Sequence, residues 1–222
     1  TLIGEHKNGE LGFRYGPPRD VDGDGIADIA AGQRFTTIGD REDIGFAGVW
    51  SGADGHPIYS WIGPQKGSLF GGHVMIGPDM DGDGLADLFI GAPGQEIMLE
   101  GRSVRRGMIS VRSPRSGKEI TRFLGAEAGA AFAWHQAFIE DLNGDGVPEI
   151  IAGETGNYPV RLLNGKSGAL IQSYGEGRPG GTFGWFVVPI ADMDGDGKQD
   201  VLIGAPTWVA TETTYEQSGA VF

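Results

Sequence analysis

The sequence contains no cysteine, which excludes a disulfide framework, thiolate catalysis and thiolate metal binding. No apolar run approaches the roughly 18 residues of a membrane-spanning helix, so membrane insertion is not expected. The Gly-x-Ser-x-Gly elbow of serine hydrolases, the His-Glu-x-x-His motif of zinc proteases and the phosphate-binding P-loop are absent. A net charge of −13 and the lack of a basic stripe disfavour nucleic-acid binding. These absences indicate a protein that is not an enzyme of a familiar class.

Glycine, by contrast, is abundant, at 41 of 222 residues. The usual share of glycine is about 7%. No collagen-like period of three accompanies the excess, so it predicts many tight turns, as in an all-β repeat protein.

Four acidic segments of nine residues share one pattern: DVDGDGIAD (20–28), DMDGDGLAD (79–87), DLNGDGVPE (141–149) and DMDGDGKQD (192–200). Glycines at loop positions 4 and 6 supply the positive φ that curls the backbone around one centre. Side-chain oxygens at positions 1, 3, 5 and 9, with the carbonyl of position 7, are ligands that Ca²⁺ prefers. The sequence therefore predicts about four Ca²⁺ ions, one per segment. The predicted ligands are Asp20, Asp22, Asp24, Ile26 and Asp28; Asp79, Asp81, Asp83, Leu85 and Asp87; Asp141, Asn143, Asp145, Val147 and Glu149; and Asp192, Asp194, Asp196, Lys198 and Asp200.

These segments are not EF-hands, whose loops end in a bidentate Glu at position 12. Apolar residues stand at that position in all four copies: Ala31, Ile90, Ala152 and Ile203. A short, β-rich apolar run that stops at Gly or Pro follows each loop, so we expect calcium loops that connect strands rather than helices.

The loops begin at intervals of 59, 62 and 51 residues, which is the scale of one supersecondary unit per repeat. One strand is predicted before each loop, and three more follow, separated by turn signals. Four antiparallel strands per repeat predict the blades of a β-propeller. We therefore expect an all-β protein whose single domain, residues 1–222, holds four blades. The repeats cover approximately residues 5–63, 64–125, 126–175, and 176–222 together with 1–4.

Each loop also lies within a longer motif. A Phe-Gly pair stands nine residues before the second and fourth loops (Phe70-Gly71 and Phe183-Gly184), and Ile-Gly-Ala-Pro follows both loops. This arrangement resembles the FG-GAP repeat of integrin α-subunit propellers and of many secreted bacterial proteins. The first and third repeats depart from it, with Leu11 for Phe and Ala133 for Gly. The resemblance implies a calcium-binding β-propeller that is extracellular, at the cell surface or periplasmic.

Closure of the ring is predicted from the N-terminal residues 1–4, which align with the fourth strand of the first repeat, 60–63. Residues 1–4 would pair with 219–222 and so seal the last blade. Propellers of the resembled family are commonly seven-bladed, so part of a larger ring is the alternative.

The connections between second and third strands are unequal in length, and we expect them on the face opposite the calcium loops, where a ligand would bind. Arg105 and Trp208 lie in two of these connections and are candidate contacts for an acidic group or a sugar ring. Arg14, His73 and His135 occupy matched positions in the first strands, so they could line the central channel and hold an anionic ligand. The alternatives are a solvated basic loop for Arg105 and structural packing for the others.

The sequence thus predicts a calcium-stabilised binding or adhesion module for a protein or glycan ligand, with no catalytic residues. It could be a domain or subunit of a larger protein, and a purely structural subunit of a secreted assembly is one alternative. A calcium-dependent polysaccharide lyase or hydrolase is another, for which Arg14, His73 and His135 are the only candidate residues.

Overall fold

The computed structural model describes residues 4, 9–12, 14, 16–154, 159–175, 182–207 and 220–221. Within these residues every regular element is a β-strand, which confirms the all-β prediction. The described chain contains no helix with the length and hydropathy needed to cross a bilayer. The chain divides into two compact units, Thr1–Gly129 and Ala130–Phe222.

The first unit contains two antiparallel sheets and a separate hairpin. Sheet 1 is built, in order, from β1 (Ile29–Gln33), β2 (Phe46–Trp50) and β3 (Pro57–Ile62). The next six strands are β4 (His73–Ile76), β5 (Leu88–Ala92), β6 (Glu96–Leu99), β7 (Arg102–Arg105), β8 (Met108–Arg112) and β9 (Glu119–Leu124). Sheet 2 has the order β4-β5-β8-β9, and β6 pairs with β7 alone.

The second unit contains sheets 3 and 4. Sheet 3 is formed, in order, by β10 (Phe132–Ile139), β11 (Glu149–Glu154), β12 (Val160–Leu163) and β13 (Leu170–Tyr174). Sheet 4 has the order β14 (Phe186–Ile190), β15 (Asp200–Ala205) and β16 (Ala220–Val221). The predicted pairing of residues 1–4 with 219–222 falls largely outside the described residues.

The acidic loops connect strands, as predicted. The second, third and fourth loops link β4 to β5, β10 to β11 and β14 to β15. Before the first loop the described residues form one isolated antiparallel bridge, between Arg19 and Asp28. The preceding Pro17 and Pro18 have no amide hydrogen to donate, so a continuous ladder cannot form there.

One connection differs from the prediction. The connection that carries Arg105, between the second and third strands of sheet 2, is not a simple loop, because it contains the β6–β7 hairpin. Its Glu100-Gly101 turn has positive φ at both residues, 49° and 78°, which is the geometry of a tight two-residue hairpin.

Each hydrophobic core lies between two neighbouring sheets of one unit. In the first unit Ala47, Val49 and Trp61 of sheet 1 share a buried cluster with residues of sheet 2 that include Val74 and Ile90. In the second unit the cluster joins residues of sheets 3 and 4, among them Ile151, Leu162, Val187 and Ile203. The sheets are therefore stabilised by stacking face to face.

Glycines allow the backbones of neighbouring sheets to approach each other closely. A Cβ added at Gly32 of sheet 1 would lie 2.1 Å from the carbonyl oxygen of Gly71, just before sheet 2. The second unit repeats the contact, since a Cβ at Gly153 would lie 1.9 Å from the carbonyl oxygen of Gly184. No real Cβ fits at such distances, so Gly32 and Gly153, each on the strand that follows a loop, meet the Phe-Gly glycine of the next repeat.

We predict that Gly153→Ala lowers the free energy of unfolding by about 1–3 kcal/mol, because its methyl group must push the backbone of Gly184 away. Urea denaturation would measure the change. Gln172→Ala, on an exposed position of β13, is the control and should change stability by less than about 0.5 kcal/mol. Equal stability of the Gly153→Ala variant and the wild type would contradict the contact.

Candidate metal centres

The carboxylate at loop position 1 organises the loop backbone. Asp79 accepts hydrogen bonds from the amides of Gly82 and Gly84, at 2.6 and 2.8 Å. Both glycines have positive φ, 80° and 87°, as the sequence predicted. The first, third and fourth loops repeat the pattern through Asp20, Asp141 and Asp192. The glycine amides also lower the pKa of Asp20, Asp79 and Asp192, so these groups stay ionised.

The carboxylate at position 9 is buried in three of the four loops: Asp28, Asp87 and Glu149 are at most 1% exposed. Asp28 accepts hydrogen bonds from the amide of Val21, at 2.8 Å, and from that of Gly52, at 2.9 Å. Val21 belongs to the loop itself, whereas Gly52 lies in the turn between β2 and β3. The position-9 carboxylate therefore links the acidic loop to a turn farther along the same repeat.

The other loops share parts of this arrangement. The amides of Met80 and Met193 each donate to the position-9 carboxylate of their own loop, Asp87 and Asp200, at 2.7 Å. In the third repeat the amide of Gly165, in the turn between β12 and β13, lies 3.3 Å from a carboxylate oxygen of Glu149. The sequence did not reveal the turn contacts, because nothing in the turn sequences marks their glycines as donors to a distant acid.

Carboxylates of positions 1, 3 and 9 converge in three loops. In each of these groups the ligand atoms lie within 4.8 Å of one another: Asp20, Asp22 and Asp28; Asp79, Asp81 and Asp87; and Asp192, Asp194 and Asp200. Three oxygen ligands around one point fit a hard cation such as Ca²⁺, which takes six to eight oxygens in all. The donor set therefore fits the predicted ion.

The remaining predicted ligands are not part of these groups. The position-5 carboxylates accept hydrogen bonds from the position-7 amides of Ile26, Leu85, Val147 and Lys198, whose carbonyls are the predicted ligands. Coordination by Asp24, Asp83, Asp145 and Asp196, and by the position-7 carbonyls, thus stays a prediction.

In the third loop, two side-chain amides donate hydrogen bonds to carboxylates of the loop. Asn143 at position 3 donates from Nδ2 to Oε1 of Glu149 at 2.6 Å. Asn164, in the turn between β12 and β13, donates from Nδ2 to Oδ2 of Asp145 at 2.8 Å. These bonds satisfy two carboxylates of the loop without a cation.

The buried carboxyl group of Asp87 has a strongly raised pKa. Burial, followed by the charges of Asp81, Asp79 and Asp83, raises its pKa from 3.8 to about 7. Below about pH 7 the metal-free protein therefore favours a protonated Asp87, and a bound cation would favour the ionised form.

The predicted ligand-binding residues are divided between the two units and a segment outside the described residues. Arg14 and His73, in the first unit, are 8% and 3% exposed. Burial and the charge of Arg34 lower the pKa of Arg14 to about 10. His135, in the second unit, has its Nδ1 3.4 Å from the amide of Val187. Arg105 is exposed on β7, and its guanidinium donates to the carbonyl of Gly129 at 3.0 Å. Trp208 lies outside the described residues.

Two cavities lie elsewhere. One of about 420 Å³, in the first unit, is lined by residues of the first two loops, by Ile58 and by Arg115. Another of about 600 Å³, between sheets 3 and 4, is lined by residues that include Tyr174, Phe183 and Lys198. None of the residues Arg14, His73, His135 and Arg105 lines either cavity. Sequence reasoning missed both cavities because their lining residues are distant in the chain.

Comparisons with known proteins bear on the repeats. An FG-GAP-like repeat model matches residues 141–203, and an FG-GAP repeat model matches residues 70–96. Integrin alpha-V of Gallus gallus is 28% identical over 202 residues, which cover 84% of this chain and 19% of the relative. Integrin alpha-5 of Xenopus laevis is 30% identical over 178 residues, which cover 72% of this chain and 17% of the relative. The chain thus spans about one fifth of the length of these relatives.

Among solved structures, the Bacillus licheniformis rhamnogalacturonan lyase PL11 is similar, with a TM-score of 0.54 and 18% sequence identity. The match covers 85% of this chain and 39% of the lyase. At this identity the likeness concerns the fold alone.

We predict that the metal-free protein becomes less stable as pH rises from about 5 to about 7, because a raised pKa in the folded state means that ionising Asp87 costs stability. Thermal melts in EDTA would show this fall, and Asp87→Asn should flatten it. Glu42→Gln is the control, since its hydrogen bond and ion pair with Lys66 lower the pKa of the exposed Glu42, which therefore stays ionised over this pH range. An unchanged slope in Asp87→Asn would contradict the assignment.

We also predict that the third loop binds Ca²⁺ most weakly, because Asn143 is neutral and the loop is already held by amides. The amide signals of Gly25, Gly84, Gly146 and Gly197 in NMR spectra would follow each loop during a calcium titration. Gly146 should shift last, and Asn143→Asp should move its shift to lower calcium. A titration in which Gly146 shifted first would refute the ranking.

Proposed function

Because this chain is an FG-GAP repeat protein related to integrin α-subunits, we propose that it is a calcium-stabilised β-propeller that acts as an extracellular binding or adhesion module. Sheets 1 to 4 are its blades, and each carries one calcium loop. Its ligand is a protein or glycan that binds on the face opposite the loops. The proposed location is the cell exterior, the cell surface or the periplasm.

Calcium has a structural role in this proposal. A cation among the carboxylates of positions 1, 3 and 9 offsets the repulsion between them, and it favours the ionised state of the buried position-9 acid. Because that acid also holds a distant turn, one ion stabilises two connections of a blade. Extracellular modules bind Ca²⁺ at roughly 10⁻⁴–10⁻³ M, which matches the proposed location.

The β6–β7 hairpin is the feature of the structure that best supports a binding role. It follows β5 after residues 93–95, whereas the second calcium loop precedes β5. The loop and the hairpin therefore lie at opposite ends of one strand, about 16 Å apart for five residues. The hairpin tip exposes Met98 and Leu99, at 69% and 45%, and Arg102, which pairs with Leu99 across the turn, is exposed beside them.

The base of the hairpin is fixed to the first unit. The amides of Arg106 and Gly107 both donate to the carbonyl of Gln95 at 3.0 Å. Arg105 donates from its side chain to Gly129, and Arg106 donates to Ala126. A hairpin with a fixed base presents its tip at low entropic cost, which suits recognition.

The chemistry of the tip favours an acidic ligand. Arg102 presents a guanidinium group at the tip of a hairpin on a chain of net charge −13, and guanidinium forks suit carboxylates and sulfates. Met98 and Leu99 add apolar contact area beside it. A protein surface or an acidic glycan offers both kinds of contact.

The lyase alternative rests on the fold likeness alone. Arg14 and His73 are buried, so a polymer could not reach them without rearrangement. A structural role within a larger assembly is the remaining alternative, because the chain spans about one fifth of its integrin relatives.

We predict that the protein binds a component of an array of proteins and acidic glycans when calcium is present, and that this binding is lost in EDTA. Combining Met98→Ser with Arg102→Ser should weaken the hit about tenfold, because both exposed contacts are removed. Arg115→Ser is the matched control, since Arg115 is an exposed arginine of the turn between β8 and β9.

Binding that is unaffected by the tip variant would refute the role of the hairpin. A calcium-dependent melt without any ligand on the array would favour the structural role. Consumption of an acidic glycan would favour the lyase.

A further inference from the structure

Two reciprocal hydrogen bonds connect the third and fourth acidic loops within the second unit. The amide of Gln199 donates to Oε1 of Glu140 at 2.8 Å, and the amide of Glu140 donates to Oε1 of Gln199 at 2.9 Å. Each residue contributes one backbone donor and one side-chain acceptor, so both bonds hold the same two backbone segments together. The two residues are 59 positions apart in the chain, and the pair therefore joins one repeat to the next.

Glu140 directly precedes the residue that organises the third loop. Asp141, at loop position 1, accepts hydrogen bonds from the amides of Gly144 and Gly146, both at 2.7 Å. Because Glu140 and Asp141 share a peptide bond, fixing the backbone of Glu140 restricts the directions that the Asp141 carboxylate can take. The bonds to Gln199 therefore act on the carboxylate around which the third loop curls.

Gln199 stands at position 8 of the fourth loop, and that loop holds both of its neighbours in the chain. The amide of Lys198 donates to Asp196 at 2.8 Å, and the carboxylate of Asp200 accepts from the amide of Met193 at 2.7 Å. Asp200 also belongs to the converging carboxylates of the fourth loop. A cation bound among those carboxylates would restrain Asp200 and, through the backbone, the adjacent Gln199.

The residue at position 8 distinguishes the fourth loop from the others. The first three loops have Ala27, Ala86 and Pro148 at this position. None of these side chains has an oxygen that could accept an amide hydrogen, and proline has no amide hydrogen to donate. The side-chain acceptor at position 8 is therefore specific to the fourth loop, and the first two loops provide an internal comparison.

We infer, on the basis of the proposed calcium binding, that Glu140 and Gln199 are positioning residues through which an ion in the fourth loop strengthens ion binding in the third. A restrained Gln199 holds Glu140 in one arrangement, so the third loop loses less conformational entropy when it binds its own ion. Coupling between two sites is reciprocal, so the third loop strengthens the fourth by the same factor. A coupling equal to about one net hydrogen bond changes the affinity roughly three- to tenfold.

A calcium titration of the full chain, followed by the NMR signals of the Gly146 and Gly197 amides, measures this coupling. Asp194→Ala removes one of the converging carboxylates of the fourth loop, so Gly197 should shift at higher calcium. Gly146 should then also shift at roughly three- to tenfold higher calcium, because its loop is no longer helped by the fourth. In a Gln199→Ala background, Asp194→Ala should no longer move Gly146. Gln199→Ala leaves the charge of the chain unchanged, so this loss would be due to the hydrogen bonds.

Glu140→Gln is the conservative variant that separates hydrogen bonding from charge. It removes the negative charge of Glu140 but keeps a side-chain oxygen that can accept the amide hydrogen of Gln199, so the coupling should persist. In the first unit Asp81→Ala should move the Gly84 signal to higher calcium and leave that of Gly25 unchanged, because Ala86 offers no side-chain acceptor. The signals of the other residues report that each variant is folded.

A Gly146 signal that shifts at the same calcium concentration in Asp194→Ala and in the wild type overturns the inference. Coupling that survives Gln199→Ala also overturns it, since the third and fourth loops would then communicate by another route. A chain in which none of Gly25, Gly84, Gly146 and Gly197 responds to calcium would refute the calcium binding itself, and that result is distinguishable from a loss of coupling alone.

Discussion

In the first, second and fourth repeats a carboxylate at the end of the acidic loop accepts the amide hydrogen of a residue at its start, and in the first three repeats the carboxylate at this position is buried. In the third repeat Glu149 instead accepts hydrogen bonds from the amide of the turn glycine Gly165 and from the side chain of Asn143. A carboxylate that is buried away from water loses its hydration, and hydrogen bonds or a nearby positive charge must offset that loss. The rest of the loop provides both, through its curled backbone and its other carboxylates, which converge where a cation would bind.

The second constraint is the close approach of backbones between neighbouring sheets. Glycine is needed on both sides of that approach, at Gly32 and Gly71 in the first unit and at Gly153 and Gly184 in the second. The Phe-Gly and Ile-Gly parts of the repeat motif thus have a packing function, and the acidic loop between them has an electrostatic one. The two functions are separate, because no glycine of the stacking contact lies in a loop.

The parts of the structure that depend on local spacing could be predicted from the sequence. Loop positions 1 to 9, the positive φ of Gly82 and Gly84, and the strands on either side follow from residues that are neighbours in the chain. The β6–β7 hairpin was missed because its strands are exposed, so no alternation of apolar residues marks them. Arg14 and His73 were placed at matched positions, but alternation along a strand does not tell whether a face is covered. Their burial is decided by sheets distant in sequence.

The double attachment of Asp28 has a consequence for the behaviour of the chain when calcium is withdrawn. This acid holds its own loop through Val21 and a turn 24 residues away through Gly52. Losing the proposed ion would therefore loosen two separated segments of the backbone together. A protease that meets the calcium-depleted protein would find its cleavage sites in pairs, one in the loop and one in the turn of the same repeat. The proposed calcium would thus set the lifetime of the chain as well as its shape.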